Sequence, residues 1–247
     1  MRLDIMLVDA GFFESRARAQ EAIKAGRVRV NGVTAQKPSA PVHPSDNIEA
    51  EDAHDFVSRG GCKLDAALRA MEVSPTGKTC LDLGASTGGF CDVLLRTGAA
   101  KIYAVDVGHG QLHPKILSDD RVVNLERTHA RDLSRALIPE PIDIIVCDVS
   151  FISLKKALPP ALALAAPGAQ LVALVKPQFE VGRSRLGKGG VVKPGHANSY
   201  GVAEEISDWL AEQPHWTPTG YMESPIRGGD GNMEFLLGGV RAARGQP

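Results

Sequence analysis

The sequence predicts an α/β protein with a seven-stranded, largely parallel sheet, preceded by a small α+β module. From Thr79 onward, apolar strand-like runs alternate with helical stretches, which is the pattern of a parallel sheet with helices on both faces. A glycine-rich segment follows the first of these runs, and a short turn at residues 227–232 separates the last two. Because a short turn joins only antiparallel neighbours, the final strand is expected to run against the others.

The first 55 residues carry the signals of the small module. Apolar residues recur at helical spacing over residues 3–10, and a second helix is expected between Ser15 and Gly26, which suit its two ends. The Asn31-Gly32 pair lies between two short alternating stretches and is a strong hairpin signal. A last short strand is expected at residues 46–49.

Seven apolar runs in the rest of the chain are predicted as the strands of the large sheet. Charged residues stand at the ends of several runs, and such a group faces the rim because the interior would not tolerate it unpaired. Ligands bind at the carboxyl ends of the strands in sheets of this kind. We therefore expect Asp148, Lys176 and Glu234 to converge there, with a plain rim salt bridge as the alternative. The runs lie at residues 79–84, 101–106, 121–125, 143–148, 169–176, 217–225 and 232–239.

The segment Asp82-Leu83-Gly84-Ala85-Ser86-Thr87-Gly88 is the strongest local signal of a ligand site. Its glycines remove side chains that would keep a ligand from the backbone, and the next helix would point free N–H groups at that ligand. Asp106 ends the following strand. An acidic residue about 20 residues after such a turn is the pattern for holding the ribose hydroxyls of an adenosine-containing cofactor. The alternative is a tight turn without a ligand, since the spacing is neither a dinucleotide fingerprint nor a P-loop.

The N-terminal module is basic, although the whole chain has a formal net charge of -1. Residues 1–37 hold seven Lys and Arg against four Asp and Glu, whereas residues 38–58 hold five acidic residues and no Lys or Arg. A basic module indicates a polyanion partner, and a solvated charged surface is the alternative. The candidate contacts to such a partner are Arg16, Arg18, Lys24, Arg27 and Arg29.

Composition argues against several other classes of protein. The four cysteines show no Cys-x-x-Cys and no pairing pattern, which predicts neither zinc nor disulfides and fits a reducing, cytoplasmic location. No metal site is expected at His109 and His113, because Gly110 and Pro114 oppose a helix that would aim both at one ion. Residues 157–175 are the most apolar region, but proline and glycine interrupt them, so no membrane span is expected.

The N-terminal residues resemble the S-four-like RNA-binding domain. The resemblance rests on Ser15-Arg16, Ala19, Ala22-Ile23, Gly26 and Val28-x-Val30-Asn31-Gly32. It implies that the basic face binds folded RNA mainly through phosphates and shape, and a protein-docking module is the alternative. We divide the chain accordingly into an RNA-binding domain at residues 1–55, a linker at 56–60 and a large domain at 61–247.

The large domain resembles the FtsJ-like ribose 2′-O-methyltransferases and, in the order of its motifs, the TlyA family of haemolysin-A-named ribosomal RNA methyltransferases. The motifs are the glycine turn and residues 58–64, 148–153, 175–180 and 231–234. The resemblance implies the Rossmann-like sheet of methyltransferases that depend on S-adenosylmethionine (SAM), with SAM as cofactor. It also implies 2′-O-methylation of cytidine in ribosomal RNA, with ribosomal RNA or ribosomal subunits as partners.

The same resemblance implies roles for individual residues. The catalytic tetrad would be Lys63, Asp148, Lys176 and Glu234. The SAM pocket would be lined by Asp82, Gly84, Ser86, Gly88, Asp106 and Asp132, of which Asp132 is equally suited to cap a helix. One departure concerns the linker: some relatives carry Arg-x-Trp-Val, where this chain reads His54-Asp55-Phe56-Val57, so a linker role in cofactor binding is left open.

Arg183, Arg185 and Lys188 lie in a glycine-rich stretch after the predicted lysine strand. We expect this stretch to close over RNA at the mouth of the site, and a solvated loop is the alternative. Three other functions remain open at this stage. They are methylation of a base amino group, a cytolysin, and a ribosome-assembly factor that binds RNA without catalysis.

Overall fold

The computed structural model of the chain describes residues 1–182, 186–187, 199–229 and 231–243. It contains two compact units, of which the first comprises Met1–Ser58 and the second begins at Arg59. The proposed linker at residues 56–60 spans the point where the first unit ends.

The first unit has the predicted helices and hairpin. Ser15 caps the second helix by accepting a hydrogen bond from the Arg18 N–H. Asn31 and Gly32 both adopt left-handed backbone angles, with φ of 51° and 78°, as a two-residue hairpin turn requires. The sheet is antiparallel in the order β2-β1-β3. The elements are α1 (Leu3–Asp9), α2 (Arg16–Lys24), β1 (Val28–Val30), β2 (Val33–Thr34) and β3 (Ile48–Ala50).

The small core of this unit contains one buried carboxylate. Apolar side chains from both helices and from β1 form most of this core. Asp4 is fully buried and accepts hydrogen bonds from Arg2 at 2.9 Å, Arg16 at 3.0 Å and Gln20 at 2.7 Å. The Arg2 guanidinium is the main reason that the pKa of Asp4 lies well below its usual range. Asp4 therefore joins α1 to α2 through a charged network.

The second unit contains one seven-stranded sheet in the order β6-β5-β4-β7-β8-β10-β9. Strands β4 to β8 pair in parallel, and β10 is antiparallel to both β8 and β9. The predicted strand number and the antiparallel last strand are confirmed. The strands are β4 (Thr79–Leu83), β5 (Lys101–Val105), β6 (Val122–Leu125), β7 (Ile142–Cys147), β8 (Ala165–Val175), β9 (Trp216–Glu223) and β10 (Phe235–Arg241).

The central strands read as continuous apolar runs because a parallel sheet is buried on both faces. Their side chains form the main core together with the faces of the helices that pack on the sheet. The helices are α3 (Gly60–Ala70), α4 (Gly89–Arg96), α5 (Pro114–Leu117), a 3-10 helix (Ala130–Asp132), α6 (Leu154–Ala163), α7 (Pro177–Glu180) and α8 (Ser199–Ala211).

The strand order changes direction between β4 and β7, and such a switch point opens a crevice at the carboxyl ends of the strands. Leu83 pairs with both Val105 and Cys147, so the next residue of each strand leaves the sheet at the same edge. These residues are Gly84, Asp106 and Asp148.

Candidate active site

A cavity of about 510 Å³ lies at this switch point, and its volume is typical of a site for a small organic ligand. Gly84 and Ser86 of the glycine turn, Asp106 and residues 148–152 form part of its wall. Residues 128–130, which follow β6, also line it. The wall therefore combines two carboxylates and backbone groups with apolar surface.

The glycine turn has the close approach that the sequence suggests. Gly84 adopts a φ of 89°, and a Cβ there would lie 2.6 Å from the backbone oxygen of Asp148. Gly88 adopts a φ of 91° at the N-cap of α4, and a Cβ there would lie 2.9 Å from Leu112 Cδ1. Backbone angle favours glycine at both positions, and at Gly84 the backbone of Asp148 also leaves no space for a side chain.

Asp106 is fixed at the cavity wall by two backbone groups. Its Oδ2 accepts a hydrogen bond from the Ser86 N–H at 2.8 Å, and its Oδ1 accepts one from the Gly108 N–H at 2.6 Å. An ionised carboxylate has roughly four acceptor positions, so capacity for ligand hydroxyls remains. The arrangement orients the carboxylate before any ligand arrives.

Asp82 is placed beneath the glycine turn and not in the cavity wall. Its side chain is fully buried, Oδ2 accepts a hydrogen bond from the Cys91 thiol at 3.0 Å, and Oδ1 is buried without a hydrogen-bond partner. Burial raises the pKa of Asp82 to about 7, and the nearby carboxylates of Asp148 and Asp106 add to the rise. The structure thus does not bring Asp82 to the cavity surface.

Asp132 also lies away from the cavity wall. It ends the 3-10 helix with 59% of its side chain exposed, and it pairs with Arg131 at 3.6 Å. His129 caps that helix and lines the cavity with Thr128 and Ala130. Sequence reasoning missed His129 because its role depends on how the segment after β6 turns over the switch point.

Lys176 and Asp148 meet at the rim, as the charged strand ends predict. Lys176 follows β8 directly, and Pro177 begins α7 at once, so the strand ends there. The Lys176 Nζ lies 2.6 Å from Asp148 Oδ1, at an angle outside hydrogen-bond geometry, and donates a hydrogen bond to Ser150 Oγ at 2.8 Å. Asp148 and Ser150 both line the cavity, so the ammonium lies beside it.

A second ion pair joins Lys63 of α3 to Glu234. The Lys63 Nζ lies 2.5 Å from Glu234 Oε2, and the two side chains are only 6% and 3% exposed. Phe235 pairs with Val175 in the antiparallel register, which places Glu234 opposite Lys176. The four residues of the predicted tetrad therefore form two pairs, one buried and one beside the cavity.

Phe151 belongs to the motif at residues 148–153, but the sequence gave it no role of its own, and it is the most exposed large apolar residue described. Its side chain is 91% exposed, it lines the cavity, and its backbone adopts a left-handed φ of 65°. The Phe179 ring lies 5.0 Å from it between centroids, and the Lys176 Nζ lies 5.9 Å from the Phe179 centroid. The loop after β7 thus presents an aromatic face next to the ammonium.

Glu180 ties the two loops that carry Asp148 and Lys176. Its carboxylate accepts hydrogen bonds from the Leu154 N–H at 2.8 Å and from the Ser153 hydroxyl at 2.5 Å. These donors lie at the start of α6, where they would otherwise lack acceptors. Burial raises the pKa of Glu180 above its usual value.

Three of the predicted RNA contacts in the first unit already have carboxylate partners. Arg16 pairs with Asp4 at 3.0 Å, Arg18 with Asp52 at 2.9 Å and Arg27 with Glu51 at 3.5 Å. Arg18 is 20% exposed and also donates to the backbone oxygens of residues 54 and 56.

The remaining predicted contacts divide into two groups. Lys24 and Arg29 are exposed, and neither has an ion pair within the described part of the chain. Arg183, Arg185 and Lys188 lie outside the described residues.

Residues 56–241 match the family model of FtsJ-like methyltransferases, and residues 1–48 match that of the S4 domain. The chain belongs to the FtsJ-like methyltransferase family. The matched range covers the whole sheet and both ion pairs of this methyltransferase. Within the described residues, no cluster of three or more His, Cys, Asp or Glu is placed to hold a metal ion. None of the described helices combines the length and apolar character needed to cross a bilayer.

Two curated relatives match almost the whole chain. The 16S/23S rRNA (cytidine-2′-O)-methyltransferase TlyA of Mycobacterium tuberculosis is 43% identical over 96% of this chain and 88% of the relative. Hemolysin A of Brachyspira hyodysenteriae is 40% identical over 96% of this chain and 98% of the relative. Those names describe the relatives.

Solved structures share the fold. A structure from Streptococcus thermophilus that carries a hemolysin name has a TM-score of 0.75 and 36% identity, with 98% of this chain and 88% of that chain covered. An O-methyltransferase from Bacillus cereus, solved with SAH, has a TM-score of 0.52 and 18% identity, with 76% of this chain and 84% of that chain covered. The second likeness concerns the fold alone.

Proposed function

We propose that this methyltransferase transfers a methyl group from SAM to the ribose 2′-hydroxyl of a cytidine in ribosomal RNA. The observation that carries the proposal is the Lys176 ammonium, held by Asp148 and Ser150 beside the cavity at the switch point. The printed function of the M. tuberculosis relative, at 43% identity, supports the same substrate and the same acceptor atom.

The residues of the cavity fit SAM. Gly84 has no side chain, which leaves open the space beside the Asp148 backbone that a Cβ would fill. Asp106 is oriented to accept hydrogen bonds from ribose hydroxyls. Ala130 and Ile152 offer apolar surface for an adenine ring. When bound there, SAM supplies an electrophilic methyl group on its sulfonium. Asp82 would influence SAM only through its charge, because its carboxylate is buried and does not line the cavity. Asp132 would not contact SAM, because it also does not line the cavity.

Lys176 orients the ribose oxygen and stabilises the negative charge that develops on it. A 2′-hydroxyl is a weak acid, so its proton must leave as the new O–CH₃ bond forms. The Lys176 Nζ contacts Asp148 and Ser150, and a third position on the nitrogen remains for the substrate oxygen. A neutral amine would accept the hydroxyl proton there, and an ammonium would stabilise the alkoxide-like oxygen.

Lys63 and Glu234 support Lys176 without facing the cavity. Their pair is buried, so neither group is free to exchange contacts with solvent. We propose that this pair fixes the charge environment opposite Lys176 and holds α3 against the rim. The four residues then share one task, although only the outer pair faces the cavity.

Phe151 supplies a surface for the target nucleotide. We propose that the target nucleotide is bound unstacked, with the exposed Phe151 ring beside the site as its stacking partner. The remaining RNA contacts that we propose are Lys24 and Arg29 in the first unit, and Arg183, Arg185 and Lys188 in the glycine-rich stretch that follows β8 in the sequence. The last three lie outside the described residues.

The deciding experiment measures methyl transfer from labelled SAM to isolated small subunits, isolated large subunits and naked ribosomal RNA. The expected product is 2′-O-methylcytidine, identified by mass spectrometry of the nucleosides. Lys176→Ala serves as the control and should retain SAM binding by calorimetry while losing transfer. A methyl group on the base would contradict the role of Lys176. An active Lys176→Ala variant would contradict it as well.

The same purified protein distinguishes the alternative functions. SAM binding without transfer to any of the three substrates would favour an assembly factor, and liposome leakage by pure protein would favour a cytolysin. We also propose a cytoplasmic location, because RNA is the substrate and the four cysteines are not joined in disulfides.

A further inference from the structure

The turn between β9 and β10 is built around an unusual run of glycines. The Gly228 N–H donates to the Asn232 oxygen at 2.9 Å, and the Gly231 N–H donates to the Gly228 oxygen at 3.0 Å. Arg59, one helical turn before Lys63, donates to the Arg227 oxygen at 3.0 Å. The turn is therefore closed on itself and joined to the start of α3.

Gly228 lies directly against the Glu234 carboxylate. A Cβ at Gly228 would be 2.4 Å from Glu234 Oε1 and 3.0 Å from Glu234 Cδ. Gly228 does not adopt a left-handed φ, so a side chain there would not meet the strain of a left-handed backbone. Any advantage of glycine at this position therefore comes from the space beside Glu234 and not from a left-handed backbone angle.

The Glu234 carboxylate is enclosed between Gly228 and Lys63. Its other oxygen lies 2.5 Å from the Lys63 Nζ, and its side chain is 3% exposed. An ordinary contact begins near 3.4 Å, so a methyl group at residue 228 would have to displace the carboxylate by about 1 Å. That displacement moves Glu234 within a site where it has little room to adjust.

We propose that Gly228 is a positioning residue, whose missing side chain supplies the space that keeps Glu234 paired with Lys63. Gly228 itself touches no reacting atom and acts through Glu234. This inference rests on the proposed function, in which Lys63 and Glu234 support Lys176.

The test compares Gly228→Ala with Gly229→Ala. Gly229 is the matched control because it lies in the same turn, its φ is also outside the left-handed region, and a Cβ there would meet only Arg59 Nη2 at 3.8 Å. We expect Gly228→Ala to lower kcat by roughly tenfold to a hundredfold, since a 1 Å misplacement near a reacting centre has effects of that order. KM for SAM and RNA should stay within twofold, and Gly229→Ala should stay within twofold throughout. Equal activity of the two variants would overturn the proposal.

A double-mutant cycle identifies the partner of Gly228. In a Glu234→Ala background the carboxylate is gone, so adding Gly228→Ala should change neither the remaining activity nor the urea midpoint. In the wild-type background the same change should lower both. A loss of similar size in both backgrounds would show that Gly228 acts on the turn and not on Glu234.

The urea arm needs no substrate. It therefore decides the contact between Gly228 and Glu234 even if the wild-type protein methylates none of the RNAs, which would count against the proposed function alone.

Discussion

Replacing Lys63 with Met should destabilise the second unit far more than replacing Lys176 with Met. Lys63→Met leaves the Glu234 carboxylate unpaired, and that side chain is only 3% exposed. Removing one partner of a buried ion pair costs about 3–5 kcal/mol, because the remaining charge keeps its desolvation penalty. Lys176 and Asp148 are 11% and 23% exposed, so the Asp148 side chain keeps part of its contact with water although Oδ1 is buried, and the expected cost is smaller, about 1 kcal/mol.

Urea unfolding of the full-length protein, followed by tryptophan fluorescence from the second unit, measures both costs. Both tryptophans lie in this unit, Trp209 in α8 and Trp216 in β9. The double variant Lys63→Met/Glu234→Leu should recover most of the stability, because an apolar pair of similar volume removes the buried charge. The reasoning is refuted if Lys63→Met and Lys176→Met lower the free energy of unfolding equally. It is also refuted if the double variant is no more stable than Lys63→Met.

Three further predictions concern burial, stacking and charge. Burial raises the pKa of Asp82 to about 7, so the folded state holds the carboxyl proton more tightly than the unfolded chain does. The free energy of unfolding of the wild type, relative to Asp82→Asn, should therefore fall by roughly 4 kcal/mol as pH rises from about 4 to 7. A difference that does not vary with pH in urea titrations would contradict this. Phe151→Ala should lower kcat/KM for RNA by roughly tenfold to a hundredfold, which is the range expected for the loss of one base-stacking contact. The urea midpoint should stay unchanged because the ring is 91% exposed. Unchanged kinetics would show that Phe151 does not contact the substrate. Replacing Lys24 and Arg29 with Ala should lower the slope of log Kd against log salt concentration by about 2. Arg27→Ala should lower the slope less, because Arg27 already pairs with Glu51. Equal slopes for the wild type and the double variant would show that this surface does not contact phosphates.

The two lysines of the site illustrate what local sequence signals can predict. Lys176 was predicted at the rim because a charge that closes an apolar strand has no place in the interior, and it lies there. Lys63 lies early in a helix, where a lysine is ordinarily solvated. The sequence around it therefore gave no reason to expect that its side chain is buried. The resemblance to FtsJ-like enzymes pointed to it, and its buried pair with Glu234 shows why a charge at that position is tolerated.

The candidate cofactor residues show the same division. Gly84 and Asp106 were predicted from a strand that runs into a turn and from the strand after it, and both line the cavity. Asp82 precedes the same turn, and the resemblance pointed to Asp132 after the third strand. Asp82 is nevertheless fully buried, and Asp132 is exposed and outside the cavity wall. Which side chain of a loop faces a cavity depends on its rotation against neighbouring elements, and spacing along the chain does not encode that rotation.

Sequence alone determined the elements of this protein, the edge of the sheet at which polar groups gather and the antiparallel course of β10, because these follow from periodicity, turn residues and the cost of burying charge. The tertiary structure decided which charges pair. Lys63 and Glu234 are 171 positions apart, and Arg18 meets Asp52 within the first unit. Such pairings depend on the order of strands and the packing of helices, which are properties of the whole fold and of no local segment.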